Sequence, residues 1–307
     1  MSSIAVRPVG YALGAEITGV NLSKPLRAED VGRIRQAWFK HQVLVFPGQD
    51  LSPEALIAFS SNFGELDNHD SQPFNRLPGY DKVMLLSNRP VGGTLPPGGS
   101  AGVNWHTDLS YTVRPAMGTF LYCMEKPQVG GDTLFANMYT AYETLSPRMR
   151  AFLDDLEAVH DVSLINTKRA PEVVAEFKRL NPPVVHPAVR VHPETGRKAL
   201  YVNDRVRTFV GLTEAESKPI IKFLCEHSVA PKFTYRHGWS VGDLVMWDNR
   251  CLTHMAVGDF DRQAIRHMIR TSCLGDYLGR LEDPQAAAPK ARASSDAVAA
   301  AVSAMHD

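Results

Sequence analysis

The sequence predicts a mainly β fold, an antiparallel sandwich or barrel with helices inserted around it. Strand-like runs at 83–87, 117–123, 199–203, 243–247 and 265–273 are short and separated by glycine and proline turns. Their spacing is too wide and irregular for repeated βαβ units. The helices between them carry start signals, and no internal repeat organises them.

In chain order, Val31, Ile34 and Trp38 fall on one face of residues 28–40, which predicts an amphipathic helix. Residues 42–46 form an apolar run ended by Pro47-Gly48, a buried strand and turn. Ser52-Pro53 opens a second helix as cap and first helical position, and Gly64 closes it. Ser146-Pro147 repeats that opening for a helix to about Val159. Thr213 and Glu216 have capping-box spacing and lead a helix to about His227. Residues 89–102 (RPVGGTLPPGGSAG) can form neither ladder nor helix, and serve as a lid or a surface connection. Residues 1–282 are expected as a single domain, with 283–307 a peripheral or disordered tail.

The chain has 33 basic and 33 acidic side chains in 307 residues, for a net charge of +0. It therefore lacks the basic excess of a nucleic-acid or anionic-membrane binder. No apolar run of membrane-spanning length and no signal peptide is visible, so the cytoplasm is the expected location. Cys123, Cys225, Cys251 and Cys273 have neither zinc nor redox spacing and read as buried free thiols.

His-x-Asp/Glu occurs at His106-Thr107-Asp108 and at His192-Pro193-Glu194. In extended backbone, positions i and i+2 point the same way, so such a pair can hold two corners of one metal ion. The second match lies in HPETGR, which reads as a hairpin turn facing solvent. The first precedes Leu109-Ser110-Tyr111, consistent with a strand end at a cavity. Farther on stand His254, and then Arg266 and Arg270 in RHMIR. On a strand, Arg266, Met268 and Arg270 share one face. Two guanidinium groups there require anions, either protein carboxylates or an incoming dicarboxylate. Two histidines and one carboxylate can hold Fe(II) with positions left open. An arginine beside them can bind the far carboxylate of 2-oxoglutarate with a bidentate fork.

The segments NWHTDLSY (104–111), GGDTLFANMYTAYETLS (130–146), HPETGRKALYVN (192–203), WDNRCLTH (247–254) and RHMIR (266–270) resemble the taurine dioxygenase/TfdA family of Fe(II)- and 2-oxoglutarate-dependent dioxygenases. The resemblance runs from about Gly10 to Gly279. It implies a double-stranded β-helix (jelly-roll) core with flanking helices, with His106, Asp108 and His254 as iron ligands and catalytic residues. It further implies Thr133 and Arg266 as 2-oxoglutarate contacts, and Arg270 as a contact to cosubstrate or substrate. The implied reaction consumes O2, converts 2-oxoglutarate to succinate and carbon dioxide, and hydroxylates a substrate C–H bond.

The substrate is expected to be a small organic anion: a sulfonate, sulfate ester, aryloxyalkanoate or related carboxylate. Asn104, Leu109, Arg270, His69 and Val206 are the candidate substrate-binding residues. The match at His69 is loose, and a satisfied surface histidine is the favoured reading there. Val206 stands where taurine-specific members have an aromatic residue, which argues for a wider pocket. Trp247 is expected to wall the iron site or to pack in the core. A homo-oligomer, dimer or tetramer, is expected. The alternative is a metal- or anion-binding protein of the same fold without turnover.

Overall fold

A computed structural model describes residues 4–90, 102–165, 171–261 and 263–286. Strands in chain order are β1 (Ala5–Pro8), β2 (Ala15–Thr18), β3 (Val43–Phe46), β4 (Arg76–Leu77), β5 (Tyr80–Ser87), β6 (Ala116–Glu125), β7 (Thr133–Asn137), β8 (Glu157–His160) and β9 (Val184–Pro187). They continue with β10 (Val189–Val191), β11 (Lys198–Leu200), β12 (Val206–Phe209), β13 (Thr234–His237), β14 (Leu244–Asp248), β15 (Leu252–Ala256), β16 (His267–Leu274) and β17 (Arg280–Leu281). The helices are α1 (Ala28–His41), α2 (Pro53–Ser60), α3 (Met138–Glu143), α4 (Pro147–Asp154), α5 (Pro171–Leu180) and α6 (Glu214–Ser228). The molecule is mainly β, as expected, and no helix among the described residues is long and apolar enough to cross a membrane.

An eight-stranded sheet runs β1-β2-β3-β14-β6-β16-β5-β4, antiparallel except for the β2–β3 pair. Its two faces separate by residue parity, as the pleat requires. Leu44, Phe46, Phe120, Tyr122, Met246 and Ile269 pack one face against Ile34 and Trp38 of α1 and Leu56 and Phe59 of α2. Val43, Val45, Leu121, Cys123, Trp247 and Met268 turn the other way. There they meet Phe135 and Leu252 of a three-stranded sheet, β13-β7-β15. The space between these sheets holds the candidate site.

The expected caps close: Ser52 and Ser146 hydroxyls accept from Ala55 and Met149 N–H at 3.2 and 3.3 Å. Thr213 and Glu216 form the reciprocal capping box. Several expectations need correction. The helix from Pro147 ends at Asp154 rather than near Val159, because residues 157–160 pair as β8 with β9 and β12. The HPETGR turn does not leave its histidine in solvent. His192 is fully buried, with Nδ1 accepting from Glu194 and Thr195 N–H and Nε2 donating to Asp248 at 3.0 Å. Strand β16 begins at His267, so Arg266 precedes the ladder. Cys225 is only partly buried, whereas the other three cysteines are buried. Residues 91–101, most of the lid-or-connection segment, and 287–307, most of the tail, lie outside the described residues.

Candidate functional site

His106 and His254 are joined by their own backbones. His106 N–H donates to His254 O at 2.9 Å, and the reverse bond is 2.8 Å. This bridge continues the three-stranded sheet by one residue and brings the imidazoles to a 4.2 Å centroid separation. Asp108 returns on the same side two residues after His106. One ligand-capable atom from each of the three lies within 4.8 Å of the others. His106 Nε2 is 3.8 Å from Asp108 Oδ1, and His254 Nε2 is 3.7 Å from Oδ2. All three residues are buried.

The opposite sheet holds the carboxylate. Arg270, on β16, donates from Nη1 to Asp108 Oδ1 at 3.0 Å, and Thr119 Oγ1, on β6, donates to Oδ2 at 2.8 Å. Burial works against the carboxylate's charge. The Arg270 guanidinium and the two histidines outweigh it and hold the group well below the usual carboxylate range. Burial likewise pushes His106 well down and His254 to about 4, so both imidazoles are neutral at pH 7. His106 Nδ1 lies 2.7 Å from Asn104 O. A carbonyl only accepts, so Nδ1 carries the proton and Nε2 offers its lone pair toward Asp108. Leu109, directly after the carboxylate, has φ 53°, a left-handed backbone that a branched side chain rarely adopts.

Asn249 ties these parts together. Its Oδ1 accepts from Asp108 N–H at 3.2 Å and from Trp247 Nε1 at 3.1 Å, while Nδ2 donates to Thr119 Oγ1 at 2.9 Å. Trp247, 1% exposed, also sets its ring 4.7 Å from that of His254. It therefore both borders the triad and packs in the core. Flanking Asn249, Asp248 and Arg250 turn to a separate buried ion network. Arg250 pairs with Asp248 at 2.7 Å and with Glu194 at 2.5 Å, and Arg35 reaches Glu194 at 2.7 Å. His192, Asp248 and Cys251 also stand close enough to hold an ion. Arg250 and His192 already occupy that carboxylate, so this group has the character of a structural lock.

The other candidates are placed as follows. Thr133, on β7, accepts from Trp239 Nε1 at 3.1 Å. Arg266 donates from Nε to Gly131 O at 3.0 Å, which puts it beside the Gly131–Thr133 strand entry. Burial lowers its guanidinium to about 10. Leu109 packs with Tyr111, Val162 and Phe177. Asn104 is exposed and contributes its carbonyl to His106. Val206 belongs to a different apolar cluster, with Phe209 and Leu224. His69 is not the surface histidine that the sequence favoured. It is fully buried, with Nδ1 3.0 Å from Asp67 Oδ2 and Nε2 3.3 Å from Lys82 O.

Sequence reasoning missed Thr119, Asn249 and Arg205. Arg205 donates from Nη1 to Thr107 O at 3.1 Å, between two members of the triad. Asn249 lay inside the WDNR segment and Arg205 two residues beyond YVN.

The family described as "Taurine catabolism dioxygenase TauD, TfdA family" matches residues 5–272. The chain is 32% identical over 280 residues to the (S)-phenoxypropionate/alpha-ketoglutarate-dioxygenase of Sphingobium herbicidovorans, covering 88% of this chain and 95% of the relative. It is 33% identical over 287 residues to the alpha-ketoglutarate-dependent 2,4-dichlorophenoxyacetate dioxygenase of Cupriavidus pinatubonensis, covering 90% and 99%. The crystal structure of AAD-2 in complex with Mn(II) and N-oxalylglycine superposes with a TM-score of 0.76 at 30% identity, covering 89% of this chain and 97% of that one.

Proposed function

The chain belongs to the taurine catabolism dioxygenase TauD, TfdA family, and on that premise we propose that it hydroxylates a small organic anion. 2-Oxoglutarate is the cosubstrate, O2 the oxidant, and succinate and carbon dioxide the co-products. Aryloxyalkanoates are the first substrate class to test, because relatives matching nearly the whole chain are named for them. We read the two facing sheets as the double-stranded β-helix of the family and residues 1–282 as one catalytic domain.

The residues present fit the implied metal. His106, Asp108 and His254 are the two-histidine, one-carboxylate donor set of non-haem Fe(II) oxygenases. They are buried, convergent, and in protonation states that leave donor atoms free. When bound, Fe(II) supplies the activation of O2 against the keto acid. The protein's share is placement. His106, Asp108 and His254 would hold the ion, and Asn104 O fixes the His106 tautomer. Thr119 and Asn249 fix the Asp108 carboxylate. Thr133 and Arg266 would take the far carboxylate of 2-oxoglutarate, and Arg270, beside the metal-binding carboxylate, would contact the cosubstrate or the substrate. The apolar walls from Leu109, Phe135 and Trp247 exclude water from this space.

The observation that carries the reading is the convergence of a buried His/Asp/His set with more guanidinium than carboxylate charge around it. The test is succinate release under air with Fe(II), ascorbate, 2-oxoglutarate and a panel of 2,4-dichlorophenoxyacetate, 2-phenoxypropionate, an alkyl sulfate and taurine. Turnover of at least one anion, abolished in His106→Ala, is expected. Metal-loaded protein that turns over none of them above the His106→Ala background overturns it.

A further inference from the structure

Two guanidinium groups, Arg205 and Arg270, bear on the triad, a third, Arg266, stands beside Thr133, and they differ in what they touch. Arg270 is ion-paired with Asp108 at 3.0 Å. Arg266 leans on Gly131 O beside Thr133. Arg205, partly buried, forms no ion pair with any carboxylate among the described residues, and its side-chain hydrogen bond goes to the neutral carbonyl of Thr107. A cation drawn out of water against a neutral acceptor is under-compensated and favours an anion beside it.

Its setting is rigid. Arg205 N–H donates to Asn203 Oδ1 at 3.0 Å, and its carbonyl accepts from Asp161 N–H at 2.9 Å. One residue earlier, Asp204 exchanges bonds with Trp105, Asp204 N–H to Trp105 O at 3.2 Å and Trp105 N–H to Asp204 Oδ2 at 3.0 Å. The loop between β11 and β12 is thereby stitched to the segment carrying His106 and Asp108. The guanidinium lies over the Tyr111 ring, 5.1 Å from its centroid, and Tyr111 packs against Leu109 and Phe177. The Arg205 charge reaches His106, Asp108 and His254. A fixed cation next to an apolar and aromatic wall, bordering the metal ligands, is suited to an anionic head with a hydrophobic body.

We infer that Arg205 binds the anionic head group, a carboxylate or sulfate, of the substrate, while Arg266 serves the cosubstrate. The inference rests on the oxygenase reading above and narrows it to a named recognition residue.

The test uses the full chain loaded with Fe(II) and 2-oxoglutarate under nitrogen. The visible absorption of that complex is titrated with 2,4-dichlorophenoxyacetate, 2-phenoxypropionate and an alkyl sulfate, and with the neutral methyl ester of each acid. For an anion that wild type binds, Arg205→Met is expected to weaken binding about 10- to 100-fold, the loss of a charge-assisted hydrogen bond. KM for turnover should rise in parallel. Affinity for the methyl ester and for 2-oxoglutarate should stay within about twofold, and Arg205→Lys should recover part of the loss, because charge persists without the fork. If Arg205→Met does not fold, Arg205→Lys carries the test with a smaller loss of the same selectivity. Unchanged anion binding overturns the assignment while leaving the oxygenase reading intact. So does a loss confined to 2-oxoglutarate. Wild-type protein that neither binds nor oxidises any of the anions overturns both.

Discussion

Asn249 illustrates how much of a candidate metal site lies outside the residues that would hold the ion. Its amide is used at both ends, and the bonds have a fixed direction: Asn249 Nδ2–H to Thr119, then Thr119 O–H to Asp108 Oδ2. Thr119 has one proton, and accepting from Asn249 aims that proton at the carboxylate. Asn249→Ala should weaken Co(II) binding about 10- to 100-fold by calorimetry, as removal of such supporting bonds does elsewhere. The Co(II) absorption spectrum should change as well. Equal affinity and spectrum would show that Asp108 is positioned without it. His106, Asp108 and His254 were legible because two of them share a face in a three-residue motif and the family pattern supplies the third. Asn249 and Arg205 were not, because their roles depend on which strand lies opposite. Arg205 becomes informative only when the structure shows that it forms no ion pair with a carboxylate among the described residues.

Elements were legible where a local rule fixes them, and illegible where a partner does. The caps at Ser52, Ser146 and Thr213 follow from side chains bonding their own helix, and all three form. Strand β8 was absorbed into the preceding helix because Glu157–His160 has no strand signal without β9 and β12 beside it. His192 read as solvent-facing because its turn is polar, yet Asp248 and Arg250 wait beneath that turn. The docking of α1 on the sheet offers a test at this scale. Trp38 of α1, fully buried, lies over Gly118 of β6, where an added Cβ would stand 2.6 Å from the indole. The ring belongs to the core and cannot swing aside. Gly118→Ala should therefore destabilise the protein by about 1–3 kcal/mol in chemical denaturation. No loss would mean that the α1 contact is looser than the packing indicates. Gly118 adjoins Thr119, so this helix contact also backs the site.

At the scale of the whole molecule, zero net charge conceals a sorted distribution. Acidic and basic groups pair over the surface, while the interior around the triad is rich in guanidinium. To the acid sensitivity that His106 and His254 already confer, a second buried polar group, His160 and His186, adds its own. Both imidazoles are fully buried, and burial lowers His186 to about 4 and His160 well below its ordinary value. As pH falls from about 6.5 toward 4, the unfolded chain takes up protons that the folded one refuses. Stability is then lost at up to about 1.4 kcal/mol per pH unit for each such histidine. Urea unfolding between pH 7 and 4.5 should show that fall, and His186→Asn should make it shallower. A flat wild-type profile would rule the mechanism out.

The backbone bridge between His106 and His254 has a further consequence, in time rather than in space. It joins segments separated by nearly half the chain, so it closes only after a long loop has paid its entropy. Contacts of such sequence separation form slowly. His106 and Asp108 are neighbours on one segment, so it is the joining of His254 to them that depends on this long-range pairing. Binding that needs all three side chains would therefore report that the distant segments have paired.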